Sequence, residues 1–249
     1  MLHLTVSNKP HPGLDLLLLS AKHVETRVLG MGTRTAIGHF GKGFGLKLEL
    51  LKAELLLVPP MTKVLFTDAY DVLLNGPTTA LEKWLDDHPG KVLFAAEMGK
   101  WPYADIVYPK VTFPFPYLNS GVFAGHAKDI LSLLKVPFDT KTDDQGYYTL
   151  QYVNGDTIIL DHKAEFFQCL YGVDDFTDLP LVTHLNNGKT RIKHIRRVVR
   201  KLLPGHLSLA NLVIWKEISS FFLANSLGKC IAFAVLLMVL FAIRSYMWN

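Results

Sequence analysis

Residues 63–74 read KVLFTDAYDVLL. Lys63–Thr67 is an apolar run suited to a strand buried on both faces, and it ends at two carboxylates, Asp68 and Asp71, three positions apart. At the carboxyl end of a buried strand such a pair can converge on one oxygen-seeking cation. Mg²⁺ or Mn²⁺ is typically held by few protein oxygens and completed by substrate phosphates. The same spacing also suits a polar turn in which Asp71 caps local structure. The surrounding chain decides between the two.

Working outward, short β-rich runs alternate with helical patterns up to about residue 185. Strands are expected at His3–Ser7, Arg27–Gly30, Lys63–Thr67, Val92–Ala96, Val122–Gly125, Thr157–Asp161 and Leu181–Thr183. Helices are expected at Leu14–Ala21, Gly45–Leu56, Thr78–Asp87, Lys128–Leu134 and Asp143–Tyr152, with Pro59-Pro60 closing the second and Pro77-Thr78 opening the third. Alternating β and α units predict an α/β fold with a largely parallel sheet covered on both faces. Ligands of such sheets bind beyond the carboxyl ends of the strands.

Four further segments place polar groups at those ends. Glu97 follows VLFAA, with Trp101-Pro102 shortly after, and Asn119-Ser120-Gly121 precedes VFAG, where glycine lets backbone approach a ligand. Thr142-Asp143-Asp144-Gln145 opens an aromatic-rich helix, and His184-Leu185-Asn186-Asn187-Gly188-Lys189 follows PLVT. A late histidine can complete a metal site begun by two aspartates, and Lys189 can neutralise phosphate. Each also has a plain reading: Asp143 as a helix cap, Asn119 as a turn former, His184 as a satisfied loop residue. Their joint placement at strand ends favours a site.

Composition narrows the classes. Of 249 residues 49% are apolar and 11% aromatic, enough for a substantial core and incompatible with a disordered chain. Two cysteines, Cys169 and Cys230, provide neither a disulfide framework nor a C-x-x-C zinc pair. Residues 189–201, KTRIKHIRRVVRK, hold seven of the basic residues and no acid, which leaves the other 236 at a formal −3. A basic stretch on an acidic body does not resemble a duplex-binding face, and no nucleic-acid partner is expected. An anionic-lipid or nucleic-acid role for RIKHIRRVVRK stands beside its plainer reading as a solvated amphipathic helix.

Mean hydropathy is +0.22, with the excess at the C-terminus. Cys230–Ile243 is 14 residues free of charge, and extension back to Phe221 gives 23 residues with Lys229 as the one charge. Trp215, Tyr246 and Trp248 flank it as an interfacial aromatic belt would. Membrane insertion is expected over burial as a soluble helix, because buried helices are rarely apolar on every face. The expected organisation is therefore a catalytic domain over 1–190, a basic linker or helix over 191–218 and a C-terminal transmembrane helix over 219–245. Met1–Gly13 shows no signal-peptide pattern, and the basic flank lies on the domain side. Tail anchoring with a cytosolic domain is the corresponding expectation.

FTDAYDVLL, AEMGKWP, YLNSGVFAG, DDQGYYTLQY, LDHKAEFFQCL and LVTHLNNGK occur in this order, together with LTVSNKPHPGL and GKGFGLKLELLKAEL. In these motifs, from Leu4 to Lys189, the chain resembles the glycosyltransferase module of the procollagen lysyl hydroxylases, a GT-A domain related to collagen galactosyltransferases. The resemblance implies a Rossmann-like GT-A fold that transfers a hexose, glucose first and galactose second, from a UDP-sugar to a hydroxyl on a glycan or hydroxylated acceptor with Mn²⁺ (or Mg²⁺). It implies Asp68, Asp71 and His184 as metal ligands, Tyr70 packing on the uridine, Thr5 and Ser7 at the nucleotide, and Lys47 and Lys189 on the donor side. Glu97, Trp101, Asn119, Asp143 and Asp144 then fall on the sugar and acceptor side. Either Asn186 or Asn187 takes the place of the asparagine in the family's H-G-N-G. Asp143, Asp144 and Glu97 are the carboxylates available to orient the acceptor hydroxyl or act as base. The sequence holds no counterpart of the family's hydroxylase domain, so hydroxylation is not expected. The competing reading is a membrane-anchored, non-catalytic binding protein with a degenerate glycosyltransferase fold.

Overall fold

The computed structural model describes residues 1–33, 44–103, 105–135, 138, 139 and 141–224. Nine strands form one sheet: β1 (Leu2–Val6), β2 (Glu25–Leu29), β3 (Lys63–Asp68), β4 (Val72–Leu74), β5 (Val92–Glu97), β6 (Tyr117–His126), β7 (Ile158–Asp161), β8 (Phe167–Cys169) and β9 (Val182–His184). Their order is β2-β1-β3-β6-β5-β8-β9-β4, with β7 also paired to β5. The helices are α1 (Pro12–Ser20), α2 (Phe44–Leu55), α3 (Thr79–Asp87), α4 (Ala127–Leu133), α5 (Asp144–Asn154), α6 (Gly188–Leu202) and α7 (Leu207–Ala224).

The sheet is largely parallel, as expected, with two of the nine described strands, β6 and β4, reversed. β6 runs antiparallel to both β3 and β5 in the middle of the sheet, and β4 runs antiparallel to β9. This reversal has a direct consequence for function. Thr67 pairs with Val122 and Ala95 with Asn119, so the amino end of β6 lies at the carboxyl ends of β3 and β5. Between Phe94 and Ala95 the β5–β6 register jumps from Phe123 to Asn119, so Ser120–Val122 bulge out of that ladder. Bulges of this kind re-aim side chains.

Both faces are covered, as period-2 alternation requires of a buried strand. Val64 and Phe66 face Leu48 and Leu51 of α2, Ile130 of α4 and Tyr148 of α5, with Phe66, Phe123 and Phe94 stacked at centroid separations of 4.8 and 4.6 Å. Leu65 and Val122 face Leu14 and Leu17 of α1 and Leu81 and Leu85 of α3. A third cluster joins Leu16 of α1 and Leu73 of β4 to Ile195, Val198 and Val199 of α6 and Val213 of α7.

That third cluster explains the basic stretch. Ile195, Val198 and Val199 fall at helical spacing and are buried, and Asn187 opens the helix by accepting from Lys189 N–H at 2.9 Å. The stretch expected as a basic linker or helix begins with α6, which packs through this cluster on α1, β4 and α7. Four of its seven cations pair with acids of this same chain: Arg191, Lys193, Arg197 and Lys201. Among the described residues no helix is long and apolar enough to cross a membrane. The expected span over 219–245 begins inside α7 and from residue 225 onward lies outside the described residues.

Candidate metal and donor site

Asp68 is the last residue of β3, and Asp71 immediately precedes β4. Leu185 N–H donates to the Asp71 carbonyl at 2.7 Å, and the short β4–β9 ladder sets Val72 opposite His184. Two backbone constraints therefore bring a residue 113 positions later against the D-x-x-D turn. One ligand atom from each of Asp68, Asp71 and His184 lies within 4.8 Å of the others. His184 Nε2 is 3.9 Å from Asp68 Oδ2 and 3.6 Å from Asp71 Oδ1.

The imidazole is held in one orientation from behind. Asn119 Oδ1 accepts from Gly121 N–H at 3.0 Å, which fixes its amide assignment, and it lies 3.0 Å from His184 Nδ1. Nδ1 must then carry the hydrogen, and Nε2 faces the two carboxylates. Gly121 makes this geometry possible. A Cβ there would lie 2.3 Å from His184 Cε1 and 2.7 Å from Asp68 Oδ2.

Each aspartate is bound by a cation on the oxygen that faces away from His184. Lys47 Nζ contacts Asp68 Oδ1 at 2.8 Å and Asp144 Oδ2 at 2.5 Å. Arg191 Nη2 contacts Asp71 Oδ2 at 2.5 Å, and its Nη1 pairs with Glu217. The remaining oxygens, Asp68 Oδ2 and Asp71 Oδ1, converge with Nε2 as an O, O, N donor set, which suits a divalent ion. Burial, with the like charges of Asp71 and Asp144, raises the Asp68 carboxyl against the pull of Lys47. Burial also works to raise Asp71, but Arg191 and His184 outweigh it and hold that carboxyl below the usual range. His184 is likewise raised: burial opposes its charge, and Asp71 and Asp68 prevail. The Asp68 side chain keeps 34% of its surface open, so the cluster is reached from solvent.

Beside it lies a network of amides. Glu97 Oε1 accepts from Asn119 Nδ2 at 3.0 Å and Gln145 Nε2 at 2.8 Å, and Oε2 accepts from Asn186 Nδ2 at 2.7 Å. Burial raises the Glu97 carboxyl against these donors. Asp144 is buried and accepts from Ser120 Oγ at 3.0 Å as well as from Lys47. Asp143 accepts from Gly146 N–H at 2.7 Å and caps α5, the plainer of its two readings. Of the two asparagines, Asn186 enters the network while Asn187 caps α6.

The remaining expected residues spread out. Tyr70 is half-buried, with its hydroxyl 2.9 Å from Ser7 Oγ and its ring 4.3 Å from that of His11. Thr5 is fully buried and donates its hydroxyl to the Thr67 carbonyl at 2.8 Å, so it ties β1 to β3. Trp101 is 49% exposed at the rim, where its carbonyl lies 3.4 Å from Gln145 Nε2. Lys189 sits exposed on the first turn of α6, and Arg191, two residues later, is the cation that reaches the cluster. Arg191 and Glu217 were absent from the sequence-based site, and Gln145 entered it only within Thr142–Gln145 with no role of its own. Arg191 belongs to a basic run that also reads as a solvated helix.

A family model described as "PLOD GT domain" matches residues 1–204. The chain is 35% identical over 191 residues to the multifunctional procollagen lysine hydroxylase and glycosyltransferase of Caenorhabditis elegans, covering 70% of this chain and 26% of that protein. It is 34% identical over 209 residues to procollagen-lysine,2-oxoglutarate 5-dioxygenase 2 of Mus musculus, covering 78% and 28%. It is 33% identical over 179 residues to the uncharacterized protein R699 of Acanthamoeba polyphaga mimivirus, covering 68% and 38%. The match therefore spans well under half the length of these relatives. Among solved structures, a glycosyltransferase involved in glycosylation of the PBCV-1 major capsid superposes with a TM-score of 0.52 at 12% identity, covering 75% of this chain and 92% of that one. That likeness concerns the fold.

Proposed function

The chain belongs to the PLOD GT domain family, and we propose that it transfers a hexose from a UDP-sugar to a hydroxyl on a glycan or hydroxylated acceptor. The observation that carries this reading is the convergence of Asp68, Asp71 and His184 within 4.8 Å, each aspartate with its outer oxygen already taken by a cation. In this reading the three residues hold Mn²⁺ or Mg²⁺, which supplies Lewis-acid neutralisation of the departing diphosphate. Arg191 takes the electrostatic role expected of Lys189, close to where leaving-group charge develops. Tyr70, steadied by Ser7, offers its ring to the uracil, and Thr5 supports the strand beneath. Lys47 orients Asp68 and Asp144 together. Asp144 faces the sugar side as the candidate to orient the acceptor hydroxyl, and Trp101 stands at the acceptor rim. Glu97, with both oxygens committed to amides, positions Asn119, Gln145 and Asn186 instead of acting as base. Asp143 contributes as the cap that sets Asp144.

Glucose is the first donor expected and galactose the second. We further propose 219–245 as a membrane anchor with the domain on the cytosolic side, on the strength of the apolar run and the basic flank. A degenerate, non-catalytic fold would have no need of an intact ligand set, and here all three ligands are present. The test is release of UDP by the purified protein, with Mn²⁺ or after EDTA, across UDP-glucose, UDP-galactose and other donors with hydroxylated acceptors. Metal-dependent release with one preferred hexose is expected. Equal release with and without metal, or none from any donor, contradicts the reading.

A further inference from the structure

Glu217 lies on α7, a helix that begins after residue 204, where the family match ends. It nevertheless reaches the metal cluster through one intermediary. Its Oε1 pairs with Arg191 Nη1, and Arg191 Nη2 holds Asp71 Oδ2 at 2.5 Å. The three side chains keep only 23%, 14% and 12% of their surfaces exposed. The backbone is shaped for this carboxylate. Gly188 starts α6, and a Cβ there would come within 2.9 Å of Glu217 Oε2.

We propose that Glu217 is a positioning residue for the cation site, holding Arg191 so that Asp71 presents a single free oxygen to the ion. The inference rests on the proposed role of Asp68, Asp71 and His184. A guanidinium readily grips a carboxylate with two parallel hydrogen bonds. With Nη1 committed to Glu217, Arg191 offers Asp71 one arm, and Asp71 Oδ1 stays 3.6 Å from His184 Nε2. Without Glu217 the guanidinium is free to close on both Asp71 oxygens. Its charge is also no longer neutralised beside the place where a divalent ion binds, and the repulsion is strong at such range. Both effects disfavour the ion. The other aspartate needs no such brace, because the Lys47 ammonium is already divided between Asp68 and Asp144. Ala210 and Val213 fix α7 in the third core cluster, so the position of Glu217 is set by packing.

The experiment is Mn²⁺ titration of the full chain, without nucleotide, followed by loss of the free Mn²⁺ EPR signal. Changes to residues that orient metal ligands typically cost roughly 10–100-fold in affinity. Glu217→Ala is expected to weaken Mn²⁺ binding by about that factor, Glu217→Gln by less, and excess Mn²⁺ should restore UDP release in both. Gly188→Ala, which displaces the carboxylate without removing a charge, should weaken binding in the same direction and covers the case in which Glu217→Ala does not fold. Lowered melting temperature with wild-type Mn²⁺ affinity in the folded variants would identify Glu217 as a structural ion pair and overturn the inference. A wild-type chain that binds no Mn²⁺ overturns both the cation site and this brace. Wild-type binding with unchanged variants overturns the brace alone.

Discussion

Around Asp68 and Asp71 the principal partners are charges, whereas Glu97, at the same end of the same sheet, is surrounded by amides. Lys47 and Arg191 take one oxygen of each aspartate and leave the others converging on His184 Nε2. Asn119, Gln145 and Asn186 occupy both oxygens of Glu97. The first arrangement can take a cation between its three inward atoms. The second is complete as it stands. A carboxylate with its lone pairs committed braces its neighbours, whereas a pair whose inner oxygens converge on an imidazole nitrogen can accept a ligand. Asn119 joins the two, since it donates to Glu97 and accepts from His184.

The largest effect that separates these regions is on turnover. On the proposed reading, Asp68→Asn or Asp71→Asn removes a ligand charge from an ion that would contribute several kcal/mol to leaving-group stabilisation. UDP release should fall by about a thousandfold while circular dichroism stays native. Retained turnover in both variants would erase the distinction between the regions.

Glu97→Ala should break the other region in the opposite manner. It leaves three buried amides without an acceptor, at about 1–3 kcal/mol for each that finds no substitute. For a chain of this size each kcal/mol lowers the melting temperature by about 2–4 °C. A loss of activity with an unchanged melting temperature would instead make Glu97 a direct participant in catalysis.

The contrast between the two regions was only half legible in the sequence. Asp68 and Asp71 announce themselves because they end an apolar strand, and His184 because it follows another. The bracing role of Glu97 does not, since its partners come from β6, α5 and the loop after β9, and only the antiparallel direction of β6 brings Asn119 under it. That direction was missed because a strand buried on both faces reads the same either way. β4 and β8, of three residues each, were missed. Arg191 was hidden in a basic run whose charges suggested a solvated face, while its outcome depends on Glu217, 26 residues further on. The caps at Asp143 and Asn187 fell where capping residues are expected.

A smaller effect is expected at Tyr70, whose hydroxyl is tethered to Ser7. Stacking of an aromatic ring on a base contributes roughly 1–3 kcal/mol. Tyr70→Ala should weaken UDP binding by about 5–150-fold, with little change in melting temperature. Wild-type affinity combined with a large stability loss would return Tyr70 to the core.

The mildest test is pH. Against the opposing effect of burial, Asp71 and Asp68 raise the His184 pKa. A cation needs the neutral form, so binding competes with the imidazole's proton and affinity falls as pH drops through the raised value. Mn²⁺ affinity should decline toward about pH 5 and level off at high pH. Affinity independent of pH across that range would remove His184 from the ligand set.

The central claim is that Asp68 Oδ2, Asp71 Oδ1 and His184 Nε2 share one divalent ion. Anomalous diffraction from crystals grown with Mn²⁺ and UDP tests it most directly. The account predicts one strong peak between these three atoms, at about 2.1–2.3 Å from each. UDP bound in the cleft with no peak there, or with the ion held by other side chains, would contradict it.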